Sequence, residues 1–164
     1  MKRLIFIFLL IVQAAIILLV AFQYEWIKDN GKPIFLETKT PITTYHANND
    51  VYVEYEINYL PAEIWEIDEE LDYQEKVFVV LAPDDTGVHR AVRVTKERPE
   101  LRAEEVSLPA TYSYVDSIKD ENRVDYGIEK ISQVDPGKDK HRRWLITLKV
   151  APWGQKAITE VAEL

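Results

Sequence analysis

The fold class is decided by two strand-like runs and the turn between them: Val77-Phe-Val-Val-Leu-Ala82, Asp84-Asp-Thr-Gly87 and Val88-His-Arg-Ala-Val-Arg-Val-Thr95. The first run is apolar throughout and has the length of a strand. The second alternates apolar and polar residues, which is the period of a half-buried strand. Aspartate and glycine between two such runs favour a tight turn. The segment therefore predicts an antiparallel β-hairpin.

Further strand patterns lie on both sides of this hairpin. They cover residues 34–38, 51–60, 106–108, 112–118, 123–131, 144–151 and 156–161. We interpret Pro109 as a break between two strands, because proline lacks the N–H that a sheet ladder uses. Ile64, Ile67 and Leu71 recur at helical spacing after Pro61, which predicts a short helix. We expect a mainly β domain, an antiparallel sandwich or barrel of about seven or eight strands with at most one short helix.

The N-terminus is a nearly charge-free segment. Lys2 and Arg3 precede an apolar run, residues 4–22, in which Gln13 is the one polar residue, and the first acid is Glu25. As a helix rising 1.5 Å per residue, this run spans roughly the hydrocarbon thickness of a bilayer. A cleaved secretory signal would need a shorter run and a small-x-small cleavage site. Because neither pattern is present, we predict an uncleaved transmembrane anchor.

The residues that flank the apolar run predict its orientation. The two N-terminal cations stay in the cytoplasm by the positive-inside rule, and Tyr24 and Trp26 suit the headgroup level. We predict that residues 1–29 form the anchor and juxtamembrane segment and contact the bilayer through residues 4–22. Residues 30–164 then form an extracytoplasmic domain. The protein is predicted to lie in the cell membrane, with a single span.

Composition limits the possible partners. The chain has 20 basic and 28 acidic residues and a net charge of −8. Without Lys2 and Arg3, 18 basic and 28 acidic residues remain, so the chain beyond the apolar run carries −10. Such a surface repels phosphate backbones, which argues against a nucleic-acid partner. The absence of cysteine excludes disulfides and thiolate metal sites.

Four short stretches occur in a distinctive order. They are residues 32–38 with Pro41; Asn49-Asp50 (or Asn48-Asn49, one residue earlier) followed by Val53 and Tyr55; the central hairpin with Arg98-Pro99; and Tyr126-Gly127-Ile128-Glu129. In this order they resemble the GDYXXLXY family of membrane-anchored bacterial proteins. The leading glycine of the family motif is replaced here by asparagine, which tolerates positive φ well, and the first motif tyrosine is out of register. The chain resembles a divergent member.

The resemblance implies an extracytoplasmic domain on a single helix, in a family whose members are often near or fused to multi-pass membrane proteins. It implies no established activity and no cofactor. The positions that correspond to family motifs are Asn49, Asp50, Val53, Tyr55, Tyr126, Gly127, Ile128 and Glu129.

We select Gln13, Trp65, Gly127 and Glu129 as candidate contacts for a partner or ligand. Gln13 lies near mid-bilayer, where an amide can bond a partner helix or is tolerated alone. Trp65 lies in an acidic stretch that is either a docking surface or a solvated helix face. Gly127 permits a bulge or a close backbone approach and shares a strand face with Glu129. Alternatively, Gly127 relieves a packing clash and Glu129 is solvated.

No motif indicates catalysis. The serines lack a nucleophile elbow, and His46, His89 and His141 lack metal-ligand spacing and are interpreted as surface or loop residues. The basic run at residues 138–143 either contacts anionic lipid or is a charged loop. We predict no catalytic residue and no metal. Our first hypothesis is a non-enzymatic domain that binds or regulates another membrane or envelope protein, such as a multi-pass protein. The first alternative is a small-molecule or glycan sensor. A more remote alternative is an envelope hydrolase.

Overall fold

The computed structural model describes residues 2–39, 54–116, 121–127 and 141–164. Within these ranges the chain forms one α-helix, α1 (Lys2–Asn30), and eight strands. The strands are β1 (Lys32–Glu37), β2 (Tyr59–Pro61), β3 (Lys76–Pro83), β4 (His89–Thr95), β5 (Val106–Asp116), β6 (Glu121–Asp125), β7 (Trp144–Val150) and β8 (Lys156–Glu163). The predicted mainly β class is confirmed.

The strands form two antiparallel sheets. One has the order β1-β7-β8 and the other has the order β2-β6-β5-β3-β4. The sheets face each other across a single core, to which each strand contributes alternate residues because successive side chains point to opposite faces. The core residues of the long strands are Ile34, Leu36, Val77, Val79, Leu81, Val106, Leu108, Ala110, Ile146, Leu148 and Val150. Of the two predicted architectures, this arrangement is the sandwich.

The hairpin predicted at residues 77–95 is β3–β4, and Asp84 organises its turn. The Asp84 Oδ1 accepts hydrogen bonds from the Thr86 N–H (2.9 Å), the Thr86 hydroxyl (2.6 Å) and the Val88 N–H (3.1 Å). Its Oδ2 accepts from the Arg90 guanidinium at 3.1 Å. Hydrogen bonds from Thr86, reinforced by Arg90, lower the pKa of Asp84 to about 2. The turn is therefore held by an ionised carboxylate.

The sequence predicted that Pro109 breaks a strand, and this prediction is wrong. Strand β5 runs through Pro109. The ladder with β3 includes the pair Phe78↔Pro109, whereas pairing with β6 begins only at Thr111↔Asp125. On the β6 side, residue 109 has no ladder partner among the described residues, so its missing N–H removes no bond there. A proline in a central strand is thus accommodated because the neighbouring strand is short.

The predicted strand at residues 51–60 is interrupted. Residues 51–53 lie outside the described residues, and Glu56–Asn58 form a 3₁₀ turn before β2. The buried Asn58 side chain explains the turn: its Oδ1 accepts from the Tyr55 N–H at 2.6 Å and its Nδ2 donates to the Val124 carbonyl at 2.8 Å. The amide satisfies two backbone groups that a continuous ladder would otherwise pair.

The predicted helix at residues 61–75 is wrong. Only Ala62–Ile64 form a 3₁₀ turn, after which the chain runs along the outer edge of β4. Trp65 forms a parallel bridge with Val94, and the Glu66 N–H donates to the Val94 carbonyl at 2.9 Å. Ile64 packs against the core from the 3₁₀ turn, and Ile67 and Leu71 do so from the non-helical segment after it. This segment covers an edge strand that would otherwise expose its ladder groups.

Candidate functional site at the junction of the helix and the β-domain

Helix α1 is long and apolar enough to cross a membrane over Ile5–Asn30, and its most apolar stretch has no part buried within the protein. Gln13 is exposed on this helix. The helix ends at Asn30, because Gly31 and Pro33 disfavour its continuation. A membrane-spanning role is therefore consistent with both its composition and its exposure.

The last turn of α1 packs on the β-domain. Ile27 is only 3% exposed and lies against Ala151 and Ala157 at the β7–β8 turn. The Trp26 and Trp153 rings contact each other with centroids 5.1 Å apart. Helix and domain therefore meet in a small apolar interface.

Gly31 makes this interface possible. Its N–H donates to the Ile27 carbonyl at 2.8 Å. A Cβ at residue 31 would lie 2.5 Å from the Ile27 oxygen and 3.0 Å from the Lys149 Cβ. Only glycine allows the helix to end this close to β7.

A cleft of about 520 Å³ opens beside the junction. Asn30 from the helix end and Trp153 from the β7–β8 turn line it, together with Phe78, Leu101 and Val150. Leu101 and Trp153 are about half exposed. The cleft therefore combines apolar walls with access from solvent.

Three cations line the same cleft: Lys32, Lys76 and Arg98. The Lys32 ammonium donates to the Ala103 and Glu105 carbonyls at 3.2 and 3.1 Å, and the Arg98 guanidinium donates to the Pro152 carbonyl. Within the described ranges, no carboxylate forms an ion pair with any of the three. A positive cleft has thus formed in a chain of net charge −8.

Among the described residues, Glu105 is the one acid that lines this cleft, and other contacts already balance its charge. Its carboxylate accepts from the Arg102 N–H at 2.9 Å and pairs with the Arg93 guanidinium at 2.9 Å. These partners, the Arg102 backbone first, lower the pKa of Glu105. Its charge is directed at Arg93, which leaves the cleft cations to act on a ligand.

Tyr126 and Gly127 line a shallow depression that shares Lys76 and Pro109 with the cleft. Tyr126 is buried, and its hydroxyl donates to the Ile57 carbonyl at 2.8 Å; burial raises its pKa well above the usual value. Gly127 has a φ of +76°, and among the described residues no atom lies within 4 Å of where a Cβ would be. The positive φ favours glycine at this position, and the described residues give no clash for it to relieve. Ile128 and Glu129 lie outside the described residues.

The other predicted site residues lie elsewhere. Trp65 is half-buried and packs edge-to-face on Tyr112 with centroids 5.9 Å apart, so it is largely a core contact. Tyr55 is buried, whereas Asn49, Asp50 and Val53 lie outside the described residues. The contact roles of Gln13, Trp65, Gly127 and Glu129 remain predictions.

Two sequence interpretations of basic residues change. His89 is a buried strand residue, not a surface one: its Nδ1 accepts from the Phe35 N–H at 3.3 Å, and burial lowers its pKa. Arg142 and Arg143 lie at the end of the sheet away from α1 and pair with Glu163 and Glu37. The described part of the basic run is therefore not beside the helix.

The family can be assigned from a comparison with known families. The profile described as "GDYXXLXY protein" matches residues 13–161. The chain belongs to the GDYXXLXY family. The GDYXXLXY match begins inside α1 and ends in β8, so it includes the second half of the helix, the junction and both sheets. Comparisons with curated proteins and with solved structures each found no match.

The cleft cations were missed because Lys32, Lys76 and Arg98 are far apart in the sequence and no regular spacing connects them. Trp153, in a Pro-Trp-Gly turn, was the one local signal that an aromatic side chain is presented at a loop. Within the described residues, no group of three or more His, Cys, Asp or Glu side chains could hold a metal. The geometry can attract an anion and contact an apolar group at the same time.

Proposed function

We propose that this GDYXXLXY protein is a single-pass membrane protein with a cytoplasmic N-terminus. Its β-domain lies outside the cytoplasm and binds or regulates another membrane or envelope protein, without catalysing a reaction. In this proposal residues 1–29 are the anchor and juxtamembrane segment and residues 30–164 are the functional domain.

The observation that carries the proposal is the packed junction between α1 and the β7–β8 turn. A flexible tether would let the domain tumble independently of the helix. Here Ile27 is buried and Trp26 contacts Trp153, so helix and domain move together. A contact that α1 makes in the bilayer would then set the position of the domain above the membrane. In the same way, a contact made by the domain would change the position of the helix.

The shifted pKa values favour a non-enzymatic role. The acids with lowered pKa values, Asp84, Glu75 and Glu105, bond to the β3–β4 turn or to cations that hold loops in place. Lys96, whose pKa is raised, pairs with Glu69 and Glu75. These four shifts, all within the described residues, each have a structural cause, which supports a non-enzymatic role.

Co-purification tests the partner hypothesis. Full-length protein is crosslinked in its native membrane and isolated in detergent, with Gln13→Leu compared against Ile11→Leu. The control lies about 200° around the helix from Gln13 and preserves hydrophobicity. We expect a co-purified membrane protein that Gln13→Leu reduces and Ile11→Leu does not. Recovery of this chain alone from the crosslinked membrane would refute the proposal. Trp65→Ala is a poor probe, because it removes a core contact.

Protease accessibility tests the orientation. Protease added to intact spheroplasts should remove the β-domain and leave a protected fragment containing α1. A domain that stays intact until the membrane is opened would reverse the assigned topology.

The size of the cleft favours a ligand sensor as the second candidate function. About 520 Å³ lies within the range of small-molecule sites. A sensor should show a saturable thermal shift of the full-length protein with a water-soluble anion or glycan. A shift that persists without the partner protein would favour sensing over partner binding.

A further inference from the structure

We propose that the cleft beside the junction binds the phosphate headgroup of one anionic phospholipid from the adjacent leaflet. The inference rests on the membrane anchoring proposed above, but it requires no partner protein. Three features carry it: the level of the cleft relative to the bilayer, its uncompensated cations and its apolar walls.

The aromatic pair sets the level of the cleft. Trp26 follows the apolar run directly and suits the headgroup region. Trp153 contacts Trp26 and also lines the cleft, so the cleft begins at that depth. Asn30, on the same lining, is about 6 Å further along the helix axis. That span is close to the thickness of one headgroup layer.

The charge of the cleft suits a phosphate. Lys76 and Arg98 are exposed, lie on different segments and form no ion pair within the described chain. Lys32 adds a third cation, held in place by two carbonyls. The rest of the chain is strongly acidic and would repel an anion, so these cations form a local exception at the membrane surface.

The walls suit the part of a lipid next to its phosphate. Phe78, Pro109 and Trp153 present apolar surface, and the half-exposed Leu101 lies at the opening. Ser107 also lines the cleft, and its buried hydroxyl has no hydrogen-bond partner in the described residues. A wholly polar anion would use the cations but leave the apolar walls unmatched.

Native mass spectrometry of the full-length protein in a non-ionic detergent tests the inference. The protein is titrated with dioleoyl phosphatidylglycerol or dioleoyl phosphatidylcholine, and bound lipids are counted. We expect one phosphatidylglycerol to bind at least about tenfold more tightly than phosphatidylcholine. Lys76→Gln with Arg98→Gln should weaken phosphatidylglycerol binding about 25-fold, at about fivefold per cation.

The matched control is Arg142→Gln with Arg143→Gln, which removes the same charge from the far end of the sheet. Both control arginines are about half exposed and should cost little stability. Circular dichroism verifies folding of each variant. If the double variant misfolds, Lys76→Gln alone can be used, because this side chain makes no hydrogen bond within the described chain and its loss should not affect folding. The single variant should still bind phosphatidylglycerol about fivefold more weakly.

Three results would overturn the inference. Equal binding of the two lipids by the unaltered protein excludes headgroup recognition. Equal losses in the cleft and control variants show a general charge effect. Displacement of phosphatidylglycerol by glycerol 3-phosphate at a similar concentration shows that the cleft recognises a soluble phosphate and not a lipid.

Discussion

Replacing Gly31 with alanine should detach the helix end from the β-domain. The added Cβ would lie 2.5 Å from the Ile27 carbonyl oxygen, well inside the 3.4 Å at which ordinary contact begins. It would also lie 3.0 Å from the Lys149 Cβ and 3.1 Å from the Val150 nitrogen. None of these atoms is the far end of a flexible side chain. The backbone must therefore shift, and we expect the helix end to move because its buried packing on the domain is limited to a small cluster at the β7–β8 turn.

The cost of this shift has an upper and a lower bound. Overpacking alone costs about 1–3 kcal/mol when the site relaxes only in part. If the helix undocks, the buried Ile27 loses about 1.5–3 kcal/mol of burial, and the Trp26–Trp153 contact loses about 1 kcal/mol. We therefore expect Gly31→Ala to lower the free energy of unfolding by about 1–4 kcal/mol. Asp29→Ala, at an exposed neighbouring residue whose side chain has no hydrogen bond or ion pair within the described chain, should change it by less than about 0.5 kcal/mol.

Two measurements on full-length protein in nanodiscs check this expectation. Urea unfolding followed by tryptophan fluorescence gives the change in stability. Spin labels at Glu25→Cys and Thr159→Cys, both exposed positions in a chain without native cysteine, report the distance between helix and domain. Gly31→Ala should broaden that distance distribution. A variant with native stability and a native distance distribution would refute the close packing at residue 31.

Three further predictions concern the β-domain. Because the pKa of Asp84 is lowered to about 2 from 3.8, its contribution to stability should be complete above about pH 4 and lost as the pH falls to about 2. Asp84→Asn should therefore flatten the decline in thermal stability over this window. Equal slopes of thermal stability against pH in the variant and the unaltered protein would contradict the role of the turn carboxylate. Asn58→Leu should cost about 2–3 kcal/mol in urea unfolding, because two backbone groups lose their partners; a cost below about 0.5 kcal/mol would show that they pair elsewhere. Gly127→Ala should lower the free energy of unfolding by about 1–2 kcal/mol because of the positive φ at this residue, and Gly127→Asn should lower it clearly less because asparagine tolerates that φ better. Equal costs for the two variants would point to a cause other than φ.

Much of the fold was predictable, because a strand that buries one face has a period of two in its sequence. The β3–β4 hairpin and the β7–β8 hairpin follow from their patterns and turns. The errors arose where a tertiary contact replaced a local rule. Pro109 is tolerated because the neighbouring strand β6 is short, and Asn58 ends a ladder through a bond to Val124.

The candidate site was predictable only in part, for a related reason. Gln13 and the aromatic residues after the span could be selected from the sequence, since membrane depth depends on residue order along one helix. The cleft could not, because its cations come from β1, β3 and the loop after β4. The only clustered basic run in the sequence led instead to the end of the sheet away from the helix.

The sequence by itself determined that the chain carries an apolar helix long enough to span a bilayer and a mainly β domain of a recognisable family. Both are encoded in local periodicity and composition. Only the tertiary structure decided that Gly31 lets the helix end pack on the domain, and that Lys32, Lys76 and Arg98 meet beside it. Such features depend on register and on close approach between segments distant in sequence, and one-dimensional patterns do not encode those distances.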